Sequence, residues 1–132
     1  MSNRSKGTRF EKEFCQMLAE HDFWVHNFTQ SQEGQPCDVI AVKCGKAFII
    51  DCKVCEHNRF VLSRIEQNQH CAMELWKNLN GTPGWYALRL NNKEVYMIKA
   101  DIIEILALEK KSLNEDEIKQ YSTPLDEWMM RI

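Results

Sequence analysis

The alternation of apolar and polar positions predicts a helix at the start of the chain, followed by strands. Residues 8–21 are predicted to be helical, because large apolar side chains recur there at helical spacing. These apolar positions are Phe10, Phe14, Met17 and Leu18. Residues 23–28 are apolar-rich and are predicted to form a short strand. The polar, breaker-containing residues 29–36 are predicted to form a loop.

Residues 38–53 predict a β-hairpin. Two apolar runs flank Cys44-Gly45, a two-residue turn with glycine where a positive φ is needed. Counting outward from this turn puts Asp38 directly opposite Asp51. Both strands are apolar on both faces, which is typical of the centre of a sheet that helices cover on both sides.

The second half of the chain predicts further helices and one more strand pair. In order, the elements are a helix capped by Ser63 and running to about Leu79, strands at 85–90 and 94–98, a helix at 101–109 and an acidic, weakly helical or irregular tail at 115–132. This order predicts an α/β fold of three layers, with a central mixed sheet flanked by helices.

Length and composition fit one globular domain. The chain has 132 residues, of which 44% are hydrophobic and 27% charged, as in ordinary globular proteins. No apolar run approaches the roughly 20 residues of a transmembrane helix. The polar, basic N-terminus is not followed by an apolar segment, so a secretory signal is not expected. We therefore expect a single domain, residues 1–132, located in the cytoplasm.

Six cysteines raise the question of disulfides or a zinc site. The close pair is Cys52 and Cys55, and neither a second CxxC nor a closely spaced histidine pair follows it. Strand alternation also turns Cys52 away from Asp51 and Lys53. Reduced, mostly buried thiols are the prediction, and a thiol-based zinc module is a distant alternative.

The net charge of −2 is unusual for a protein that binds DNA, but the charges are unevenly distributed. Acidic residues are concentrated towards the C-terminus and basic residues at the N-terminus. The N-terminal basic cluster is Arg4, Lys6, Arg9 and Lys12. Such a cluster is compatible with phosphate binding on one face. The alternative is a solvated surface, and charge alone does not decide between the two.

The residues that carry chemistry are Asp38, Asp51 and Lys53. Cross-strand side chains lie about 5 Å apart, and like charges there are destabilising unless a cation binds between them. Strand alternation puts Lys53 on the face of Asp51. Two acids and a lysine on one face indicate metal-assisted phosphodiester hydrolysis. The alternative is a surface ion pair of Asp51 with Lys53 or Lys43.

Glu11 and Gln69 each allow two interpretations. Thr8 and Glu11 form a capping-box pattern, which by itself accounts for the glutamate. Gln69 lies on the apolar side of its predicted helix, where its amide must find hydrogen-bond partners. It is either a satisfied core amide or a side chain that steers Lys53 or the attacking water, and spacing does not choose between them.

Together these residues resemble the PD-(D/E)XK nuclease superfamily, through Pro36-Cys37-Asp38 followed by Asp51-Cys52-Lys53. More specifically, the chain resembles Holliday junction resolvases of the RecU type and, more distantly, the archaeal resolvases. Residues 6–11 resemble the family's glycine-led first helix with its glutamate. Residues 60–69 resemble a motif that ends in His-Gln, with Asn68 in place of the histidine. The similarity covers most of the chain.

The resemblance implies a restriction-endonuclease-like fold and a homodimer that cuts branched DNA symmetrically. It implies Mg²⁺ or Mn²⁺ held by Asp38, Asp51 and Glu11, with Lys53 as the catalytic lysine and Gln69 as a supporting residue. Thr29 or Ser31 matches a hydroxyl residue of the family's mobile loop. The predicted DNA-binding residues are Arg4, Lys6, Arg9, Lys12, Ser31 and Arg64.

One departure from the RecU type matters most, and the strongly basic N-terminal arm of those enzymes is also reduced here. The long stalk of those enzymes is replaced by the short loop 29–36, a shortened form that would fit a phage protein. A metal-dependent endonuclease acting on Holliday junctions or other branched DNA is the leading hypothesis. The alternatives are a less selective repair or restriction-type nuclease and a non-catalytic module that binds branched DNA. Facing carboxylates argue against the non-catalytic module, because they cost stability without a cation.

Overall fold

The computed structural model describes residues 3–28 and 35–132. The helices are α1 (Asn3–Glu20), α2 (Gln67–Asn80), α3 (Ala100–Ala107), α4 (Glu115–Tyr121) and α5 (Leu125–Met130). The strands are β1 (Trp24–Asn27), β2 (Val39–Lys43), β3 (Lys46–Val54), β4 (Phe60–Val61), β5 (Trp85–Arg89), β6 (Val95–Lys99), β7 (Ser112–Leu113) and β8 (Thr123–Pro124). A single 3₁₀ turn lies at Leu62–Arg64, and Glu56–Asn58 form a tight turn in which His57 and Asn58 have positive φ.

A mixed sheet forms the centre of the fold. Within the described residues, its strands follow the order β1-β2-β3-β5-β6-β8. The β3–β5 pair is parallel, and the other neighbours are antiparallel. The chain between β3 and β5 contains α2, the crossover element that a parallel pair requires. Strands β4 and β7 form a small separate antiparallel pair. The predicted α/β fold, a mixed sheet flanked by helices, is confirmed.

The β2–β3 hairpin has the predicted register. Cys44 and Gly45 have φ angles of 52° and 76°, the two positive values that a tight hairpin turn requires. Val39 at the other end of β2 faces Ile50, so the next position outward brings Asp38 opposite Asp51. The turn chemistry thereby determines which side chains meet at the far end of the hairpin.

Each face of the sheet is covered by its own core, which confirms the prediction from the doubly apolar strands. Ile49 and Ile50 are adjacent in β3 and belong to different cores, because successive side chains point to opposite faces. The Ile50 core includes Phe10 and Phe14 of α1 and Trp128 of α5. The core around Ile49 is completed by helices α2, α3 and α4, through Met73, Ile103 and Ile118.

Two predicted helix starts are wrong. Helix α1 already includes Asn3, so Thr8 lies in its interior and cannot cap it. Ser63 lies in a 3₁₀ turn, and α2 begins after Glu66. There the Glu66 side chain accepts a hydrogen bond from the backbone of Gln69, and the Gln69 side chain accepts one from the Glu66 backbone N–H at 3.1 Å. This reciprocal pair satisfies two backbone donors that Ser63 is too far away to reach.

The C-terminal segment is more ordered than its sequence pattern predicts. Residues 115–132 form α4, β8 and α5 rather than a weakly structured tail. Thr123 in β8 pairs with Met97 at the edge of the sheet, and Trp128 of α5 is 4% exposed. Ile118, Leu125, Trp128 and Met129 of this segment are buried, and that burial stabilises helices whose own sequence is mostly acidic.

The six cysteines, all within the described part of the chain, form no disulfide. Cys37, Cys52 and Cys55 are buried, whereas Cys44 and Cys71 are exposed. Three of the six are buried, whereas the prediction was that most of them would be. None of the helices over residues 3–28 and 35–132 combines the length and apolar character that crossing a membrane requires.

Gly84, just before β5, is a position where we expect only glycine to fit. An added Cβ would overlap the sulfur of Met73 and lie 3.0 Å from Cγ1 of Ile49. Gly84→Ala should therefore lower the free energy of unfolding by about 1–3 kcal/mol, measured by urea denaturation. Gly7→Ala is the control: a Cβ there meets no described atom within 4 Å, so alanine in this helix should stabilise by about 1 kcal/mol. Equal effects at the two positions would contradict the packing argument.

Candidate active site

Asp38 and Asp51 interlock at the open end of the hairpin. The backbone N–H of Asp38 donates to Oδ1 of Asp51 at 3.0 Å, and the backbone N–H of Cys52 donates to Oδ2 of Asp38 at 2.8 Å. Asp38 is 7% exposed and Asp51 is fully buried. Each carboxylate is thus oriented by a backbone donor from the other strand, so the pair does not depend on flexible surface contacts.

One oxygen of this pair has no donor. Oδ2 of Asp51 is buried and has no hydrogen-bond partner among the described residues. The Asp38 oxygens are each engaged, Oδ1 by the side-chain amide of Gln35 at 3.0 Å. A buried carboxylate oxygen without a partner is costly. A hard divalent cation would satisfy it, because such ions prefer carboxylate oxygens.

Burial and mutual repulsion make these acids hard to ionise together. Burial, reinforced by the charge of Asp38 and opposed by Lys53, raises the pKa of Asp51 to about 7. Burial, followed by the charges of Asp38 and Asp51, raises the pKa of Glu11 to about 7 as well. Glu11 on α1 is therefore close enough to the hairpin acids to be affected by both of them.

The position of Glu11 removes the capping interpretation. It lies in the interior of α1, half-buried, well past the start of the helix. Arg4, Gly7, Thr8 and Glu11 recur at helical spacing and line one cavity. Glu11 is therefore an inward-facing carboxylate of the site.

Lys53 and Gln69 are in contact. Nζ of Lys53 donates to Oε1 of Gln69 at 3.2 Å, and the same oxygen accepts the backbone N–H of Glu66 at 3.1 Å. Gln69 therefore both completes the cap of α2 and holds the lysine of β3. Gln69 is half-buried in the first turn of α2 and is not the core amide of the first interpretation, whereas its contact with Lys53 fits the second interpretation.

The site opens into a cavity of about 710 Å³ between α1 and the segment that follows β3. The predicted site residues that line it are Arg4, Lys6, Glu11, Asp38, Lys53, Arg64 and Gln69. Asp51 is fully buried next to it. An ion pair at 3.1 Å between Lys6 and Glu56 connects the two walls.

Two further predicted DNA-binding residues, Arg9 and Lys12, do not line this cavity. Arg9 forms an ion pair with Glu13 at 3.1 Å on the exposed side of α1. Lys12 is exposed and is not among the lining residues. Ser31, like Thr29, lies outside the described residues. The structure therefore brings together three of the six predicted DNA contacts, those at Arg4, Lys6 and Arg64.

The donor set fits a divalent cation as a partial shell. Among the described residues, no three His, Cys, Asp or Glu side chains are placed so that they could hold a metal ion together. Asp38 and Asp51 supply adjacent carboxylates, and Glu11 adds a third one nearby. The other coordination positions are left for water or phosphate oxygens, as Mg²⁺ sites in nucleic-acid enzymes commonly require.

The family model for archaeal Holliday junction resolvases (Hjc) matches residues 2–129. The chain belongs to this family. Hjc-family proteins are metal-dependent nucleases that act on branched DNA, so the predicted enzyme class is confirmed. The matching family is the archaeal one, and the more specific resemblance to the RecU type is not confirmed.

The fold of this chain is similar to that of a solved structure. Archaeoglobus fulgidus Hjc, a Holliday junction resolvase from an archaeal hyperthermophile, superposes with a TM-score of 0.72 at 16% sequence identity. The alignment covers 93% of this chain and 99% of that one. Among curated proteins, no significant match was found. The similarity confirms the restriction-endonuclease-like fold.

Sequence reasoning missed several residues of the Hjc-family cleft. Gln35, Glu56, His57, Arg59 and Glu66 line the cavity beside the predicted site. Most of them lie between β3 and α2, in turns without hydrophobic periodicity. A usable signal was the position of this segment directly after the Asp-x-Lys strand, where loops carry functional side chains.

The raised pKa of Asp51 predicts how stability depends on pH. Between about pH 4 and 7 the folded, metal-free chain holds a proton that the unfolded chain releases. Its free energy of unfolding should therefore fall as pH rises from 5 to 8. The Asp51 contribution is about 2–4 kcal/mol. Urea denaturation in EDTA measures this, and Asp51→Asn should flatten the dependence. Parallel pH curves for the two proteins would contradict it.

Proposed function

We propose that this chain resolves four-way DNA junctions by metal-assisted hydrolysis of phosphodiester bonds, acting in the cytoplasm. The proposal treats residues 1–132 as one nuclease domain. Asp38, Asp51 and Glu11 would hold Mg²⁺ or Mn²⁺. The observation that carries the proposal is the interlocked Asp38–Asp51 pair, with one oxygen lacking a donor, beside the Lys53–Gln69 contact.

The metal-holding acids, Lys53 and Gln69 have different roles in the proposed hydrolysis. A bound divalent cation supplies water activation and neutralises charge on the phosphate. Lys53 presents an ammonium group to the negative charge that develops at the reacting phosphate. Gln69 is a positioning residue, because its Oε1 holds Nζ of Lys53 while the cap of α2 holds Gln69 itself.

The cleft walls would hold the DNA backbone. Arg4, Lys6 and Arg64 line the cavity and present cations to phosphates on either side of the acids. Arg9, Lys12 and Ser31 stay predicted DNA contacts, and the RecU type stays a predicted relationship. The charge distribution supports DNA binding in the cleft, because Arg4, Lys6 and Arg64 line it although the net charge of the chain is −2.

The deciding experiment is cleavage of a synthetic four-way junction, with Mg²⁺, with Mn²⁺ and in EDTA. A linear duplex with the same arm sequences is the matched substrate. We expect paired nicks near the branch point that require a divalent cation, with little cutting of the linear duplex. Binding without cleavage under any divalent cation would favour the non-catalytic module. Equal cutting of both substrates would favour the less selective nuclease.

We further propose that the working form is a homodimer. Resolving a junction symmetrically requires two active sites related by a two-fold axis. An apolar surface on α2 is available for a second copy: Leu75 and Leu79 are 59% and 81% exposed. They line an apolar groove together with Ile40 of β2. Exposed apolar patches of this kind mark protein interfaces.

Charging this surface should separate the subunits. The double variant Leu75→Glu, Leu79→Glu is expected to sediment as a monomer where the unmodified chain sediments as a dimer. It should nick junctions singly rather than in pairs. Leu108→Glu is the control, because Leu108 is 84% exposed beyond the end of α3 and is not part of the groove. A dimer that survives the double substitution would place the interface elsewhere.

A further inference from the structure

The corner Glu56–Arg59, directly after β3, has an unusual backbone. His57 has φ 56° and ψ 28°, and Asn58 has φ 54°. Two consecutive residues other than glycine are thus left-handed, a conformation that the Cβ atom disfavours. Strain of this kind persists when the surrounding structure enforces it, and it is concentrated at functional sites.

Asn58 is the residue that enforces this corner. Its Oδ1 accepts the backbone N–H of Asn91 in the β5–β6 turn at 2.8 Å. Its Nδ2 donates to Oε1 of Glu115 at the start of α4 at 2.7 Å. Both ends of one side chain are therefore tied to segments far away in sequence, and these ties hold the corner in its left-handed conformation.

The strained corner presents its side chains to the cleft. His57 and Arg59 line the same cavity as Asp38 and Lys53, on the wall opposite α1. Nη1 of Arg59 donates to Oγ of Ser112 at 3.0 Å, which fixes the direction of the guanidinium. No hydrogen bond to another described residue holds the imidazole of His57, so a ring N–H is available to a ligand in the cleft.

We propose that this corner is a DNA-backbone contact, made by His57 and Arg59 and positioned by Asn58. Phosphate oxygens are acceptors, and imidazole and guanidinium groups supply N–H donors to them. The inference rests on the proposed function, because it places the backbone of the same DNA between this corner and α1. It adds His57 and Arg59 to Arg64 on the wall opposite α1, which carries Arg4 and Lys6.

The test is His57→Gly, because glycine relieves the backbone strain while it removes the imidazole. We expect the urea midpoint of unfolding to rise, since glycine adopts φ near +56° without a Cβ penalty. Affinity for a synthetic four-way junction in EDTA should nevertheless fall about five- to tenfold, the usual effect of losing one such contact. Higher stability combined with weaker DNA binding would show that the strained conformation is kept for DNA binding.

Lys93→Gly is the matched control. Lys93 is also left-handed, with φ 69°, and also carries a basic side chain, but it lies in the β5–β6 turn and does not line the cleft. It should raise the urea midpoint without changing DNA affinity. Arg59→Gln is the second variant, and it should reduce the slope of log affinity against log salt by about one.

The outcomes separate this inference from the proposed function. If the unmodified protein neither binds nor cuts junctions, the proposed function is wrong, and so is the inference that rests on it. If unmodified protein binds junctions and both His57→Gly and Arg59→Gln bind as tightly, only the inference is overturned. Equal losses of affinity for His57→Gly and Lys93→Gly would also overturn it, because they would reflect a general change rather than contact in the cleft.

Discussion

Asp51→Asn is expected to abolish junction cleavage, with a loss of at least about 10³-fold, while junction binding is kept. The substitution removes one of the two interlocked carboxylates and its donor-free oxygen, but asparagine can still accept the backbone N–H of Asp38. Losing about 4 kcal/mol of metal-dependent stabilisation of the transition state corresponds to that factor. Single-turnover cleavage and anisotropy binding with labelled junctions measure the two effects separately.

The control for this substitution is Asp126→Asn. Asp126 is exposed on α5, far along the chain from the cleft lining, so the same chemical change should leave cleavage unaltered. The Asp51 variant should also be more stable than the unmodified chain in EDTA at pH 8, because a fully buried charge is removed. Cleavage by Asp51→Asn within tenfold of the unmodified rate would exclude Asp51 as a metal ligand.

Lys53→Met is expected to slow cleavage by about 10²–10³-fold with little loss of junction binding. Methionine keeps most of the side-chain volume but removes the ammonium group that, in the proposed function, faces the reacting phosphate. The charge of Lys53 also lowers the pKa values of Glu11 and Asp51, so its removal should raise both. The residual activity should therefore move to higher pH, which a pH series of single-turnover rates would show.

Lys46→Met is the matched control, because Lys46 is exposed at the opposite end of the same strand. It should cleave at the unmodified rate. Gln69→Glu tests the positioning role: it keeps an oxygen that can accept from Lys53 and should be milder than Gln69→Leu, which removes that acceptor. If Lys53→Met and Lys46→Met cleave equally well, Lys53 has no part in the chemistry.

The hairpin that carries the site could be predicted from local sequence because its geometry is local. A Cys-Gly turn and strand alternation are enough to bring Asp38 opposite Asp51 and to put Lys53 on the same face. Gln69 could be singled out for a similar reason, since its polar amide interrupts an apolar helical pattern. Each of these inferences depends on residues that are close in sequence, within one helix or one hairpin.

The wrong helix starts show where local signals compete. Ser63 and Glu66 are both plausible caps, and the structure uses Glu66 because Gln69 lies at the reciprocal position. Thr8 and Glu11 have the spacing of a capping box, but they do not cap α1, because the helix begins upstream and continues through Gly7. The acidic C-terminal helices form because Trp128 and its neighbours are buried on a sheet that the segment itself does not contain.

The pairing of the two acids, the side of the sheet occupied by the lysine and the α/β layering follow from local sequence, because turn geometry and side-chain period act over short stretches of chain. The direction of Glu11 from α1 towards the acids and the place of the Glu56–Arg59 corner on the opposite wall follow only from the packing of distant segments. That corner is left-handed because Asn58 is tied to Asn91 and Glu115, which are more than 30 and 50 residues away. Such contacts exist only once distant segments pack together, and no local preference specifies them.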